Sequence, residues 1–190
     1  MKSVLYSIQP WHVANILSGD KDLEIRLRIP RLKPPYKAYI YCTRGILRKP
    51  GDYLFINYEK KPVFGEPHLK RCCNGKVVAE FICDYTRDFP RLTGEGPVFA
   101  DGYAITDKEL ERACLTENQL WRYGEGKDLH GIHISNLKVY DEPKALGEFN
   151  FACDKDPGMD CTLCAELGLL QCYPITRAPQ SWCYVEELSG

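Results

Sequence analysis

Lys21, Glu24 and Arg26 stand close together in the stretch Gly19-Asp20-Lys21-Asp22-Leu23-Glu24-Ile25-Arg26. An ammonium and a guanidinium in one concave site hold a phosphate or polarise a carbonyl, while a carboxylate beside them accepts hydrogen bonds from an exocyclic amine. Such a cluster also shifts the pKa values of its members, which marks sites of function. The plainer alternative is an exposed Lys-Glu-Arg network at a strand edge, worth little to stability. A second carboxylate, Glu80, lies in Gly75-Lys-Val-Val-Ala-Glu-Phe-Ile-Cys-Asp-Tyr85, flanked in period two by Val78 and Ile82 and so expected on an interior face.

Another constellation is made of sulfur. Cys153, Cys161, Cys164 and Cys172 are spaced C-x7-C-x2-C-x7-C. The Cys-x-x-Cys knuckle lets two thiolates meet one tetrahedral zinc ion, and the two flanking cysteines complete a closed site with no open position for catalysis. A small acidic segment without a core of its own gains most from such a staple. The alternative is a set of reduced, partly buried thiols. Cys72 and Cys73 are adjacent and suit one metal poorly, whereas Cys42, Cys83 and Cys114 read as small core residues. The histidines make no cluster, and the chain carries no serine-hydrolase elbow, P-loop or dinucleotide fingerprint.

The elements that must position these groups are legible from periodicity. Val4 to Ile8 predicts a first strand, and Pro10 stands at a first helical position. Trp11, Val13, Ala14, Ile16 and Leu17 follow at helical spacing until Ser18-Gly19. Leu23, Ile25 and Leu27 alternate with Glu24, Arg26 and Arg28, a strand with one charged face. Further strands are expected at 37–42, 75–85 and 130–139, with Asp141-Glu142-Pro143 turning into the tail. Thr106-x-x-Glu109 predicts a capping box opening one helix, and Thr116 caps another that carries Leu120, Trp121 and Tyr123. Residues 45–74 are irregular, consistent with a hairpin insertion or a long functional loop.

Composition bounds the rest. The chain has 190 residues, 44% of them apolar, enough for a sizeable core in one domain. It has no apolar run long enough to span a bilayer and no export signal at its start, so a cytoplasmic protein with reduced thiols is expected. Net charge is −1, which excludes a global pull toward nucleic acid, yet between Lys21 and Lys49 nine basic residues face two acids. From Tyr140 onward the balance reverses, with three basic residues against nine acids.

The run Ser7-Ile-Gln-Pro-Trp-His-Val-Ala-Asn-Ile-Leu-Ser-Gly-Asp-Lys-Asp-Leu-Glu-Ile-Arg26 resembles the opening of the ASCH-domain family, with its strand, helix and Gly-x-Lys-x-x-Glu-x-Arg pattern at Gly19, Lys21, Glu24 and Arg26. The segments 39–45, 75–85, 131–143 and 178–185 are similar to later parts of that family, leaving an insertion at 48–74 and a cysteine-rich elaboration at 150–175 in a single domain spanning 1–190. The resemblance implies an α+β fold similar to the PUA domain, a small mixed β-barrel with short flanking helices. It also implies a cleft that takes RNA or a modified nucleoside, with Lys21, Arg26, Tyr41, Thr43, Arg44, Ser181 and Trp182 toward the ligand and no cofactor required there. A ring such as Tyr39, Tyr41 or Trp182 would stack on a base for ~1–3 kcal/mol, although such rings in a small barrel are more often core.

Binding of RNA, a nucleoside or a nucleotide in a regulatory or RNA-processing role is therefore the first expectation. The second is hydrolysis. One branch of the superfamily, the bacterial N(4)-acetylcytidine amidohydrolases, is proposed to use a lysine, a threonine and a glutamate, and Lys21 and Glu80 fall where the lysine and glutamate are expected. Glu24 occupies the place of the threonine nucleophile, and a carboxylate does not replace a hydroxyl in an acyl-enzyme step. Catalytic roles for Lys21, Glu24 and Glu80 rest on that branch. A third reading is a protein–protein adaptor built on 45–74 and the tail.

Overall fold

A computed structural model describes residues 2–45, 50–57, 59–65, 71–92, 102–152 and 174–188. The apolar run after Lys2 forms β1 (Lys2–Ile8). Pro10 opens α1 (Pro10–Ser18), where its missing N–H costs nothing, and Gly19 closes it with φ +87°, its N–H donating to the Ile16 carbonyl. The charged stretch follows as a turn and β2 (Leu23–Arg26). β3 (Tyr36–Cys42) then returns parallel to β1, so α1 and β2 both lie within one crossover.

A hairpin of β4 (Tyr53–Ile56) and β5 (Pro62–Gly65) comes next. After it run β6 (Lys76–Cys83), β7 (Thr86–Phe89), β8 (Arg91–Leu92) and β9 (Gly102–Tyr103). The capping box at Thr106 and the cap at Thr116 form as the sequence predicts, on α2 (Asp107–Ala113) and α3 (Glu117–Gly124), and Gln119 completes a capping box at Thr116 as well. The last strands are β10 (Leu129–His133), β11 (Ser135–Ala145) and β12 (Trp182–Glu186).

Five strands form one sheet in the order β11-β6-β3-β1-β12, and three form a second in the order β2-β10-β7. The mixed α+β expectation holds. Among the described residues the strands make separate sheets rather than a closed barrel, joined at a corner where β6 leads into β7 and β10 into β11, with the His133 N–H donating to the Tyr85 carbonyl at 3.2 Å. Inside the corner, Val4, Tyr6, Ile8, Ala38, Ile40, Phe81 and the apolar side of α1 pack with Ile132 and Ile134. On the outer side of the small sheet, Leu23, Ile25, Phe89 and Leu129 pack against Leu110, Ala113 and Leu120 of α2 and α3. On the far face of the large sheet lie Leu5, Tyr39, Tyr41, Val77, Phe149 and Val185.

Two local expectations are corrected. Pairing of β3 with β6 steps from Ile40 opposite Ala79 to Tyr41 opposite Val77, so Val78 is an extra bulged residue. The bulge turns Val78 into the corner core with Ala79 and Phe81, and leaves Glu80 opposite Tyr39 on the far face. Strict alternation across 77–84 is thereby broken. Asp141-Glu142-Pro143 is not a turn, because β11 runs through it to Ala145. β11 is an edge strand, where a proline without a donor is tolerated.

Candidate functional site

Because both faces of β2 are covered, its charged side is not a solvated edge: Glu24 and Arg26 are each 7% exposed and Lys21 only 2%. Leu23 and Ile25 face the helices, and Glu24 and Arg26 point the other way, between the two sheets. The preceding turn is pinned from two sides. The Lys21 N–H donates to the Asn15 carbonyl on α1 and the Asp22 N–H to the Arg112 carbonyl on α2. The Arg112 guanidinium in turn holds the Asp22 carboxylate through two bonds of 2.8 and 3.1 Å.

The ammonium of Lys21 donates to the carbonyls of Leu23 at 2.8 Å and Ala113 at 2.6 Å and lies 3.3 Å from Glu24 Oε2. Three donors meet three acceptors, so the lysine is saturated. Glu24 Oε1 lies 2.9 Å from Arg26 Nη2, which also donates to the Ser7 carbonyl at 2.8 Å. The rest of Arg26 is underused. Its Nη1 reaches Ser181 Oγ and the Ser181 carbonyl only at 3.4 and 3.5 Å, and its Nε is buried without a partner. The Tyr6 ring lies 5.7 Å from the guanidinium carbon.

His12 of α1 adds a second buried nitrogen without a partner, its Nδ1. Burial lowers its pKa, with Lys21 and Arg26 acting in the same direction and Glu24 opposing them. Burial also resists ionisation of Glu24, but Lys21, Arg26 and His12 together outweigh it and hold the carboxyl below its ordinary range. Glu24 is thus a carboxylate between two cations, and the cluster keeps an excess positive charge. Tyr123 of α3, 42% exposed overall, stands beside it; burial raises its hydroxyl's pKa, and both Arg26 and Glu24 act on it.

The other expected residues fall in several places. Ser181 joins the cluster through Arg26, and its carbonyl accepts from the Ser7 N–H at 2.9 Å. Trp182 is adjacent, its Nε1 donating to the Arg28 carbonyl at 3.0 Å and its ring edge-on to Tyr184. Tyr41 is 5% exposed in the far-face core, and its hydroxyl and the Arg44 side chain both approach Gly75 rather than Glu24. Thr43 donates its N–H to the Ile8 carbonyl at 2.8 Å, and the following Gly45 runs beside Pro10.

Glu80 is not brought to the cluster. It accepts from the Tyr140 hydroxyl at 2.9 Å and pairs with Lys37 and Lys138 at 3.4 and 3.5 Å, in a separate depression of about 520 Å³. Cys153, Cys161, Cys164 and Cys172 lie outside the described residues. Among the described residues no group of His, Cys, Asp or Glu is arranged to hold a metal ion, and no helix is long and apolar enough to cross a membrane.

Sequence reasoning missed His12, Tyr123 and the Ala113 and Ser7 carbonyls. His12 shares the pattern of any helix residue, and a backbone acceptor has no sequence signature.

No protein-family model and no curated protein matches the chain. Solved structures do. A Tyr-to-Phe variant of the ASCH protein ZmASCH from Zymomonas mobilis aligns with a TM-score of 0.52 at 17% identity, covering 98% of this chain and 92% of that chain. A Ser-to-Ala variant of the same protein gives 0.50 at 17% identity, over 97% and 89%. Near-complete coverage of both chains, together with the strand, helix and charged-turn order described above, establishes that this protein has the ASCH-domain fold.

Proposed function

We propose that the protein binds a nucleobase-containing ligand, RNA or a nucleoside, at the Lys21–Glu24–Arg26 cluster, in a regulatory or RNA-processing role. The observation that carries this reading is the unequal use of the two cations. Lys21 spends its donors on the fold, while the more than nine-tenths buried Arg26 keeps Nε and most of Nη1 in reserve. A guanidinium edge offers two parallel donors to a carbonyl, ring nitrogen or phosphate oxygen, and Glu24 beside it accepts from an exocyclic amine. A base edge that alternates acceptor and donor matches that pair. Burying three charges is costly, and replacing such groups by apolar residues is often neutral or stabilising, so recognition rather than stability accounts best for them.

Hydrolysis has less support. A lysine whose three N–H bonds are all engaged is poorly placed to move a proton, and Glu80 lies on the other face of the large sheet. The adaptor reading rests on the hairpin packed against α1, where Trp11 and Phe64 stack at 6.1 Å, and nothing beyond that ring pair favours it.

The test is calorimetric titration of the protein with cytidine and N(4)-acetylcytidine, wild type beside Arg26→Lys, with chromatography of the mixtures for released cytidine. Binding that weakens about tenfold or more in Arg26→Lys, with the acetylated ligand recovered intact, is expected. Equal affinity in the variant would refute the role given to Arg26, and release of cytidine by the wild type alone would make the protein a hydrolase.

A further inference from the structure

Arg26 ends β2, and the chain that follows it forms one wall of a groove of about 860 Å³. Leu27 to Leu32 supply that wall, Trp182 and Tyr184 of β12 the opposite one, and Lys2 and His130 also line it. His130 lies directly across from Arg26 in the pairing of β2 with β10, so the groove begins at the cluster.

We propose that this groove is a track for single-stranded nucleic acid, in which Lys2, Arg28 and Arg31 meet successive phosphates and Trp182 and Tyr184 face the bases. The proposal rests on the nucleobase reading of the Arg26 site and extends it: the natural ligand is an oligonucleotide, one nucleotide of which reaches the cluster.

The charge pattern supports a polyanion. No carboxylate lines the groove, and among the described residues Lys2, Arg28 and Arg31 form no ion pair. Asp88 engages the groove's His130 at Nδ1, 2.6 Å away. The chain's net charge of −1 makes this local concentration of cations a feature of the groove rather than of the whole surface.

The aromatic residues decide which polyanion. Their polar atoms fasten the wall: Trp182 Nε1 donates to the Arg28 carbonyl at 3.0 Å, and Tyr184 Oη accepts from the Arg31 N–H at 2.9 Å. With the backbone of Arg28 and Arg31 fixed from below, their guanidinium groups are left on the exposed rim. The Lys2 ammonium lies 4.8 Å from the centre of the Tyr184 ring, so cation and π-face are already side by side. Rings interleaved with cations suit unstacked bases on a phosphate chain. A duplex keeps its base faces stacked, and a run of Asp or Glu side chains brings no rings of its own.

The test is fluorescence anisotropy on the full chain, with a labelled single-stranded RNA of about ten nucleotides. Competitors are cytidine monophosphate, the corresponding duplex and polyglutamate. The variants are Arg28→Ala/Arg31→Ala, both exposed positions, and Arg26→Lys.

The single strand is expected to bind with log K falling on log salt, and the double variant to lose about tenfold in affinity. With a single-strand coefficient of roughly 0.7 per phosphate, the slope should fall by about 1.4 while binding of the monophosphate stays unchanged. Wild-type affinity and slope in the double variant would overturn the track. Equal competition by duplex or polyglutamate would overturn its assignment to single strands. Should Arg26→Lys bind both ligands normally while the double variant loses the oligonucleotide, the Arg26 reading fails and the track stands as a site of its own.

Discussion

The Nζ of Lys21 lies 2.6 Å from the carbonyl oxygen of Ala113, the last residue of α2. A side chain from the turn before β2 thereby caps a helix that begins far along the chain, satisfying a carbonyl the helix leaves open and placing a cation at its negative end. The same ammonium neutralises Glu24, so one residue joins the α2 layer to the charged layer between the sheets.

Lys21→Met is therefore expected to destabilise the protein by ~3 kcal/mol or more, since removing one partner of a buried pair strands the other. A urea titration followed by circular dichroism reads this directly. A midpoint equal to wild type would show that the cap and the ion pair carry no weight. Any loss of ligand binding in this variant has to be read beside its stability, which is why Arg26→Lys is the cleaner probe of recognition.

Acid should act on the cluster in two stages. Burial lowers His12's folded pKa, Lys21 and Arg26 assisting and Glu24 opposing, so from about pH 6.5 downward the unfolded chain takes up this proton first and stability falls. Glu24, held low by Lys21, Arg26 and His12 against burial, contributes stability above its unfolded value and loses it as pH falls through the folded one. Urea midpoints across the range from neutral to about pH 3 should show both losses. His12→Gln should abolish the upper one and leave the lower. A wild-type midpoint that is flat down to about pH 5 would contradict the assignment to His12.

Close packing under β10 makes a steric prediction. A Cβ at Gly131 would lie 2.7 Å from Phe89 Cε2 and 3.0 Å from Leu23 Cδ1. Gly131→Ala forces two core side chains of the small sheet apart and should cost roughly 1–3 kcal/mol by overpacking. Gly19→Ala meets no atom within 4 Å and is penalised only for its positive φ, by about 1 kcal/mol. Thermal unfolding of both variants should rank Gly131→Ala the lower, and the reverse order would mean the β10 contact relaxes freely.

The spacing of Cys153, Cys161, Cys164 and Cys172 sets an expectation of one structural zinc per chain. Elemental analysis of purified protein should give a zinc content near one, falling in Cys161→Ser/Cys164→Ser together with thermal stability. A metal-free wild type of equal stability would leave these residues as ordinary thiols.

Much of the architecture is readable in the chain because its signals are local. Pro10 and Gly19 bracket α1, and Thr106-Glu109 and Thr116-Gln119 open α2 and α3, each within one turn of helix. The alternation of Leu23 and Ile25 with Glu24 and Arg26 is equally plain. It says which residues share a face and is silent on whether that face is wet. The Val78 bulge shows the opposite case. No residue between 77 and 84 announces it, yet it puts Val78 in the corner core while Glu80, opposite Tyr39, lies on the far face of the large sheet and away from the charged cluster.

By itself the sequence determined that a lysine, a glutamate and an arginine share a turn and a strand after a short helix, because helix ends and strand alternation are set by neighbours along the chain. Only the tertiary structure decided that this charged side is buried between two sheets, that Lys21 is consumed by the Ala113 carbonyl while Arg26 retains free donors, and that Arg28, Arg31, Trp182 and Tyr184 line one groove. Those relations depend on strand order and register between segments more than a hundred residues apart, where pairing is settled by burial of the whole core rather than by any local preference.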